Sequence, residues 1–351
     1  MNSEWKEFLE NAGAEFNGTG ISHFGNPQRE LSVALSGGVF ADLSHYGLIS
    51  VFGEDAESFL QGQFTNDVRL IDEEHSQLSG YCSAKGRLLA VFRIFRSGDS
   101  YYLCLPNDMV DTVIKRLRMY ILRARVTVNN ACDSFIHIGV SGADAERELA
   151  EHAGPLPQQV DATVQQDQQV VVRVAGAHPS FEIFTDVDRG KALWDRLNVR
   201  SAPVGSDAWE FLDIQAGVPM IYPETAELFI PQMTNLQLVG GISFKKGCYP
   251  GQEIVARTQY LGKLKRHMYK ARIAGDARPV PGQELFAGID AEQSAGNVVS
   301  SAPHPDGGYA ALVVLKSAIA DAGAELRLGA VDGQPVTLEQ LPYSVQNQDE
   351  H

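Results

Sequence analysis

Apolar positions along the first hundred residues change period several times, and each change predicts an element. Trp5, Phe8, Leu9 and Ala12 recur at helical spacing behind Ser3, a residue type that caps helices, and Gly13 can end the run. Short apolar runs at Gly38–Asp42 and Gly47–Phe52 read as strands. The acids Glu54 and Asp55 then open a short helix through Gln61 that turns Phe59 and Leu60 inward. Three further strands, Leu78–Ala84, Leu88–Arg96 and Ser100–Leu105, are joined at Lys85-Gly86-Arg87 and Ser97-Gly98-Asp99, which predicts antiparallel hairpins. Asn107 is placed to cap a helix whose Val110, Val113, Ile114, Leu117 and Ile121 share one face, and Arg125–Val128 returns as a strand. The β-α-β-β-β-α-β order over residues 47–129 describes helices packed on a mostly antiparallel sheet.

The same reading continues with strands at Phe135–Val140, Val170–Ala175 and Phe181–Thr185. Helices are expected at Ala143–His152, Asp188–Leu197 and Ser206–Ala216. The Gln- and Pro-rich stretch from Gly154 to Gln169 reads as a loose surface loop. From Tyr269 onward the texture changes to short alternating runs at Gly296–Ser301, Gly308–Leu315 and Glu325–Leu328, broken by Pro and Gly, which predicts a small β-barrel or sandwich. The polar tail Gln346–His351 is expected to fray.

Composition narrows the class. At 351 residues, with 44% hydrophobic and 21% charged residues, the chain is an ordinary globular protein long enough for two or three domains. No apolar run approaches the ~18 residues of a membrane span. The N-terminus sets Glu4, Glu7, Glu10 and Glu15 against Lys6, unlike a signal or transit peptide, so a cytoplasmic protein with no membrane partner is expected. The four cysteines, at 82, 104, 132 and 248, include no Cys-x-x-Cys pair, so neither a disulfide framework nor a metal site follows.

A net charge of −15 argues against indiscriminate nucleic-acid binding. Between 245 and 272, however, Lys245, Lys246, Arg257, Lys263, Lys265, Arg266, Lys270 and Arg272 are opposed only by Glu253, which suggests a local anionic partner. A second basic set, Lys115, Arg116, Arg118, Arg123 and Arg125, begins in the last turns of a predicted helix, where cations suit the dipole.

The richest stretch chemically is Phe244-Lys245-Lys246-Gly247-Cys248-Tyr249-Pro250-Gly251-Gln252-Glu253. A thiol acts as the thiolate, a form that ammonium groups on Lys245 and Lys246 would favour, and flanking glycines permit close approach by another molecule. This reasoning expects Cys248 to be partly exposed and more acidic than a free thiol. A lone cysteine can also be a small buried hydrophobe.

Lys246 through Glu253 resembles the Lys-Gly-Cys-aromatic-x-Gly-Gln-Glu hallmark of the folate-binding YgfZ family, and Phe229–Gln237 leads into it in the same way. Val39 through Asn66, with Asp42-Leu43-Ser44-His45-Tyr46 and Phe59-Leu60-Gln61-Gly62-Gln63-Phe64-Thr65-Asn66-Asp67, is similar to the opening of both YgfZ and the glycine-cleavage aminomethyltransferase, or T-protein.

The resemblance implies an α+β fold of three lobes around a central cavity. Its expected parts are a discontinuous first α+β domain (1–46 and 131–265) carrying the cysteine motif, a ferredoxin-like second (47–130) and a C-terminal barrel (266–345), with the tail 346–351 beyond. Cys248 would be the working thiol and Lys246 its catalytic neighbour, within a motif completed by Gly247, Tyr249, Gly251, Gln252 and Glu253. Tyr46, Trp209 and Glu182, the last within Phe181-Glu182-Ile183, would bind folate, tetrahydrofolate or a derivative; no metal site is implied. Taken alone, a helix-borne Trp is core and a strand carboxylate lies at the surface.

The implied function is support of iron–sulfur cluster assembly or repair and, through cluster-dependent enzymes, of tRNA modification such as methylthiolation. Such a protein is an accessory factor more than an enzyme. Client proteins or assembly factors would be its partners, with an indirect or weak RNA contact through the 245–272 strip. The alternative is a folate-dependent aminomethyl transferase of T-protein type. Against it, Lys85-Gly86-Arg87-Leu88-Leu89-Ala90 stands where T-proteins have Gly-Gly-x-x-Asp-Asp with a catalytic acid, a loss typically worth ~10²–10⁴ in rate.

Overall fold

A computed structural model describes residues 1–345 except Thr19, Lys263 and 289–292. The tail 346–351 and the Lys263 of the basic strip thus lie outside the described residues. The chain divides into two compact units, one formed by Met1–Phe59, Arg69–Gln77 and Arg93–Leu212, the other by Leu60–Val68, Leu78–Phe92 and Asp213–His351. Among the described residues no helix is long and apolar enough to cross a membrane.

The first unit carries a six-stranded sheet in the order Thr163–Gln166, Gln169–Val174, Ser180–Thr185, Ile136–Ser141, Val39–Asp42, Ala202–Val204. Only the last pair is parallel. Helices Ser3–Asn11, Ala145–Ala153 and Val187–Leu197 close its apolar face, where Trp5, Phe40, Phe181 and Trp194 are fully buried. The strands Ser100–Pro106, Tyr46–Phe52 and Thr127–Asn130 form a second sheet with the end of Leu88–Ser97, backed by helix Val110–Met119. The division between the units falls within Leu88–Ser97, after Phe92.

The second unit ends in a closed barrel of six strands, Arg266–Ile273, Tyr309–Lys316, Gly296–Pro303, Glu284–Ala287, Leu326–Leu328 and Gln334–Glu339, sealed by pairing of Lys270 with Glu339. Closure removes the sheet edges, and Ile273, Leu285, Val298, Val313 and Leu315 fill the interior. Mixed helices and strands with a C-terminal barrel agree with the expected fold class.

Local chemistry corrects several expectations. Ser3 is inside the first helix. The cap is Asn2, whose side chain accepts from the amides of Glu4 and Trp5. Asn107 caps nothing; it opens a 3₁₀ turn, Asn107–Met109, and the α-helix starts at Val110 and stops at Met119, short of Ile121. The stretch from Gly154 to Gln169 is not all loop. Asp167 and Gln168, both at positive φ, turn a hairpin between Thr163–Gln166 and Gln169–Val174, in keeping with the twist that paired strands require.

Several elements are not foreseen by the sequence pattern, three of them near named motifs or the N-terminus. These three are the hairpin Glu15–Asn17 with Gly20–His23, the helix Pro27–Ser36, and the helix Gln252–Leu261 that begins inside the cysteine motif. Asn26 as cap with Pro27 at the first helical position was a legible signal for the second.

Candidate functional site

In the second unit, two sequence words far apart along the chain converge. Gly240 through Lys246 lies against Phe64-Thr65-Asn66, and side chains stitch the two. The Thr65 hydroxyl donates to the Gly241 carbonyl at 2.7 Å and accepts from the Gly80 amide, while the Asn66 amide nitrogen donates to the carbonyls of Leu78 and Gly240. The Ser243 amide donates to the Thr65 carbonyl. Lys246 is buried, and its ammonium donates to the carbonyls of Phe64 at 2.5 Å and Asn66 at 2.8 Å, with the Tyr249 ring 5.3 Å from it. A buried ammonium needs such oxygen partners, because desolvation of an unpaired charge is costly.

This anchoring leaves the next two residues in the open. Gly247 and Cys248 are exposed, and Cys248 is a free thiol. Tyr249 turns back inward, where burial and then the nearby Cys82 push the pKa of its phenol up. Gly251 caps the following helix at φ +80°. A Cβ there would stand 2.5 Å from both the Gly86 Cα and the Ser83 carbonyl oxygen, so only glycine fits. Gln252 and Glu253 form the first turn of helix Gln252–Leu261. Leu89 and Ala90 are buried in their strand.

Of the basic strip, Lys245 is exposed but Lys246 is internal. Lys270 is bonded to Gln215 and paired with Glu339 at 3.8 Å, and Arg272 is bonded to His304 and the Gly307 carbonyl. In the first unit's basic set, Arg118 donates to the Val128 carbonyl and Arg125 pairs with Glu54 and Asp55.

The first unit holds the other named residues. Glu182 and His137 sit on neighbouring strands, Glu182 opposite Gly139 and His137 opposite Phe184, so they are diagonal neighbours on one face. Their side chains meet at 3.1 Å, and His137 stacks on Phe184 with centroids 4.1 Å apart. Glu182 is therefore buried, against the expectation of a surface carboxylate. Burial alone would raise its pKa, but the His137 hydrogen bond and the charges of His137, Arg93 and His45 together hold it below the usual range. Arg93, itself buried, is bonded to Asp161 and to Ser76.

Tyr46 lies 4.3 Å from His45 and 6.4 Å from His137, ring centre to ring centre. Trp209 is fully buried, with its six-membered ring over Gly139. Among the described residues, the Trp209 indole nitrogen and both ring nitrogens of His45 have no hydrogen-bond partner. Burial, followed by the charge of His137, drives the His45 pKa down to about 3. Asp42, close in sequence, is occupied by the Trp5 indole at 2.7 Å and by Ser44. His45, His137 and Arg93 were not singled out as site residues from the sequence. Only His45, beside Tyr46, stood near a residue that was.

Residues 20–245 match the GCVT N-terminal domain family. The tRNA-modifying protein YgfZ of Cronobacter sakazakii is 32% identical over 306 residues, covering 87% of this chain and 92% of that protein. Its namesake in Yersinia enterocolitica is 31% identical over 86% and 92%. The crystal structure of glycine cleavage system aminomethyltransferase T from Bartonella henselae superposes with a TM-score of 0.79 over 96% of each chain at 19% identity, a likeness of fold. With a domain match over most of its length and curated relatives above 30% identity along nearly all of it, the chain belongs to the YgfZ family of GCVT-domain proteins.

Proposed function

We propose that this protein is a YgfZ-type factor in tRNA modification, which binds a reduced folate and supports the iron–sulfur enzymes of that pathway through Cys248. The observation that carries the reading is the exposed thiol on an anchored loop. A residue kept for packing would be buried, whereas Cys248 is presented to solvent by the fixing of Lys246 on Phe64 and Asn66. Relatives named as tRNA-modifying proteins along nearly the whole chain support the process. A single thiolate cannot supply the four ligands of a usual cluster, so any cluster contact is transient or shared with a partner.

The first unit's buried residues fit a folate. A pterin presents ring N–H and amino donors, and Glu182, held as the carboxylate, keeps acceptor capacity beyond the one oxygen turned to His137. The nitrogens of Trp209 and His45, without partners among the described residues, offer polar contacts, and the Tyr46 ring offers a stacking surface. Glu182, Tyr46 and Trp209 would hold the ligand, which when bound carries one-carbon units. Aminomethyl transfer is not part of the proposal, because the strand at Leu88-Leu89-Ala90 presents no carboxylate where T-proteins have one.

The test joins two readouts. In cells lacking the protein, Cys248→Ser should fail to restore cluster-dependent tRNA methylthiolation, while the purified variant should quench its Trp fluorescence with tetrahydrofolate as the parent does. Full rescue by Cys248→Ser would overturn the role of the thiol. Absence of saturable folate binding by the parent, by fluorescence and by calorimetry, would overturn the folate assignment.

A further inference from the structure

Cys104, His137 and Glu182 come from three strands and share one buried spot inside the first unit. Each offers a donor atom, and the three atoms lie within 4.8 Å of one another. The Cys104 sulfur is 4.0 Å from Nδ1 of His137, and the Glu182 carboxylate is 3.1 Å from its Nε2. Donors around a tetrahedral ion with bonds of ~2.0–2.3 Å stand roughly 3.3–3.7 Å apart. The two contacts fall on different ring nitrogens, so one ion would sit on Nε2 beside the Glu182 carboxylate, with the Cys104 sulfur rotating from the Nδ1 side to reach it.

We propose that this trio is a binding site for a divalent transition ion of the zinc, iron(II) or cobalt(II) class. One sulfur, one nitrogen and one oxygen donor make a borderline-soft set, unsuited to magnesium or calcium. His45, buried beside Tyr46, has two ring nitrogens without hydrogen-bond partners among the described residues. Charge also balances. Arg93 is matched by Asp161, so a dication would be met by the Glu182 carboxylate and the Cys104 thiolate, with the thiol proton leaving to solvent on binding. The ion and a pterin would compete for Glu182, which makes them alternative occupants.

Cobalt(II) titration of untagged, reduced protein without folate tests this. A thiolate-to-cobalt charge-transfer absorption should grow to one equivalent and be bleached by zinc(II). Cys104→Ser should abolish it, whereas Cys132→Ser and Cys248→Ser should retain it. Glu182→Gln, nearly isosteric and so the safer variant for folding, should weaken cobalt binding by at least about 10-fold. An absent absorption in the parent, its survival in a folded Cys104→Ser protein, or unchanged affinity in Glu182→Gln would overturn the site. None of these outcomes depends on folate binding, which is read separately by fluorescence.

Discussion

The ammonium of Lys246 donates to the main-chain carbonyl of Asn66 at 2.8 Å, across 180 residues of chain. With the companion bond to Phe64, this makes Lys246 the pin between the Cys248 loop and the Phe64–Asn66 segment. Lys246→Met would keep the volume but strand two carbonyls, at a cost of about 2–4 kcal/mol. A lowered unfolding midpoint in urea, with faster proteolysis near Cys248, is expected. Unchanged stability would mean that water replaces the ammonium.

Gly139 carries the Trp209 ring. A Cβ at that position would stand 2.5 Å from two ring carbons, so Gly139→Ala must displace the indole and should cost about 1–3 kcal/mol of overpacking. A changed Trp emission spectrum should accompany the loss, and folate affinity should fall if Trp209 belongs to that site. A variant with parental stability and emission would show that the ring has room to move.

The thiols should react in order of exposure. Iodoacetamide at pH 8 should label Cys248 first and Cys132, half-buried, later, while Cys82 and Cys104 should wait for unfolding. Mass spectrometry of timed digests reads the order. Rapid labelling of Cys82 in the folded protein would contradict its burial.

Cys82 also predicts a pH dependence. Burial raises its pKa from 9.0 to about 12, so the folded protein holds a proton that the unfolded chain releases earlier. The stability from this group is fully present below pH 9 and is lost as pH rises toward 12, at about 1.4 kcal/mol per pH unit. Urea melts from pH 8 to 11 should show a shallower decline in Cys82→Ala. Parallel declines would mean that other groups dominate the alkaline limb.

Arg93 is a buried cation in the first unit. Arg93→Met would leave Asp161 and Glu182 without its charge, and removal of one partner of such a pair costs about 3 kcal/mol or more. The second change Asp161→Asn should recover part of that loss. A double-mutant cycle with no coupling would show that the pair contributes nothing beyond its separate contacts.

Local pattern determined much of this protein. Helical spacing placed Trp5 and Leu9 in the core, glycine turns set the hairpins around 86 and 98, and the alternating runs after Tyr269 foretold a barrel or sandwich, because period and turn chemistry act between near neighbours. The cysteine motif was legible as words, and its glycine at 251 proved to need positive φ. What those words do in space was decided elsewhere. Whether Lys246 faces solvent or two carbonyls depends on Phe64 and Asn66, and whether Glu182 lies at a surface or in a buried pair depends on the strand of His137. The meeting of Cys104, His137 and Glu182 has no spacing signature at all. Each is an ordinary alternating position on its own strand, and only the pairing of strands and the packing of the sheets turned the three toward one point.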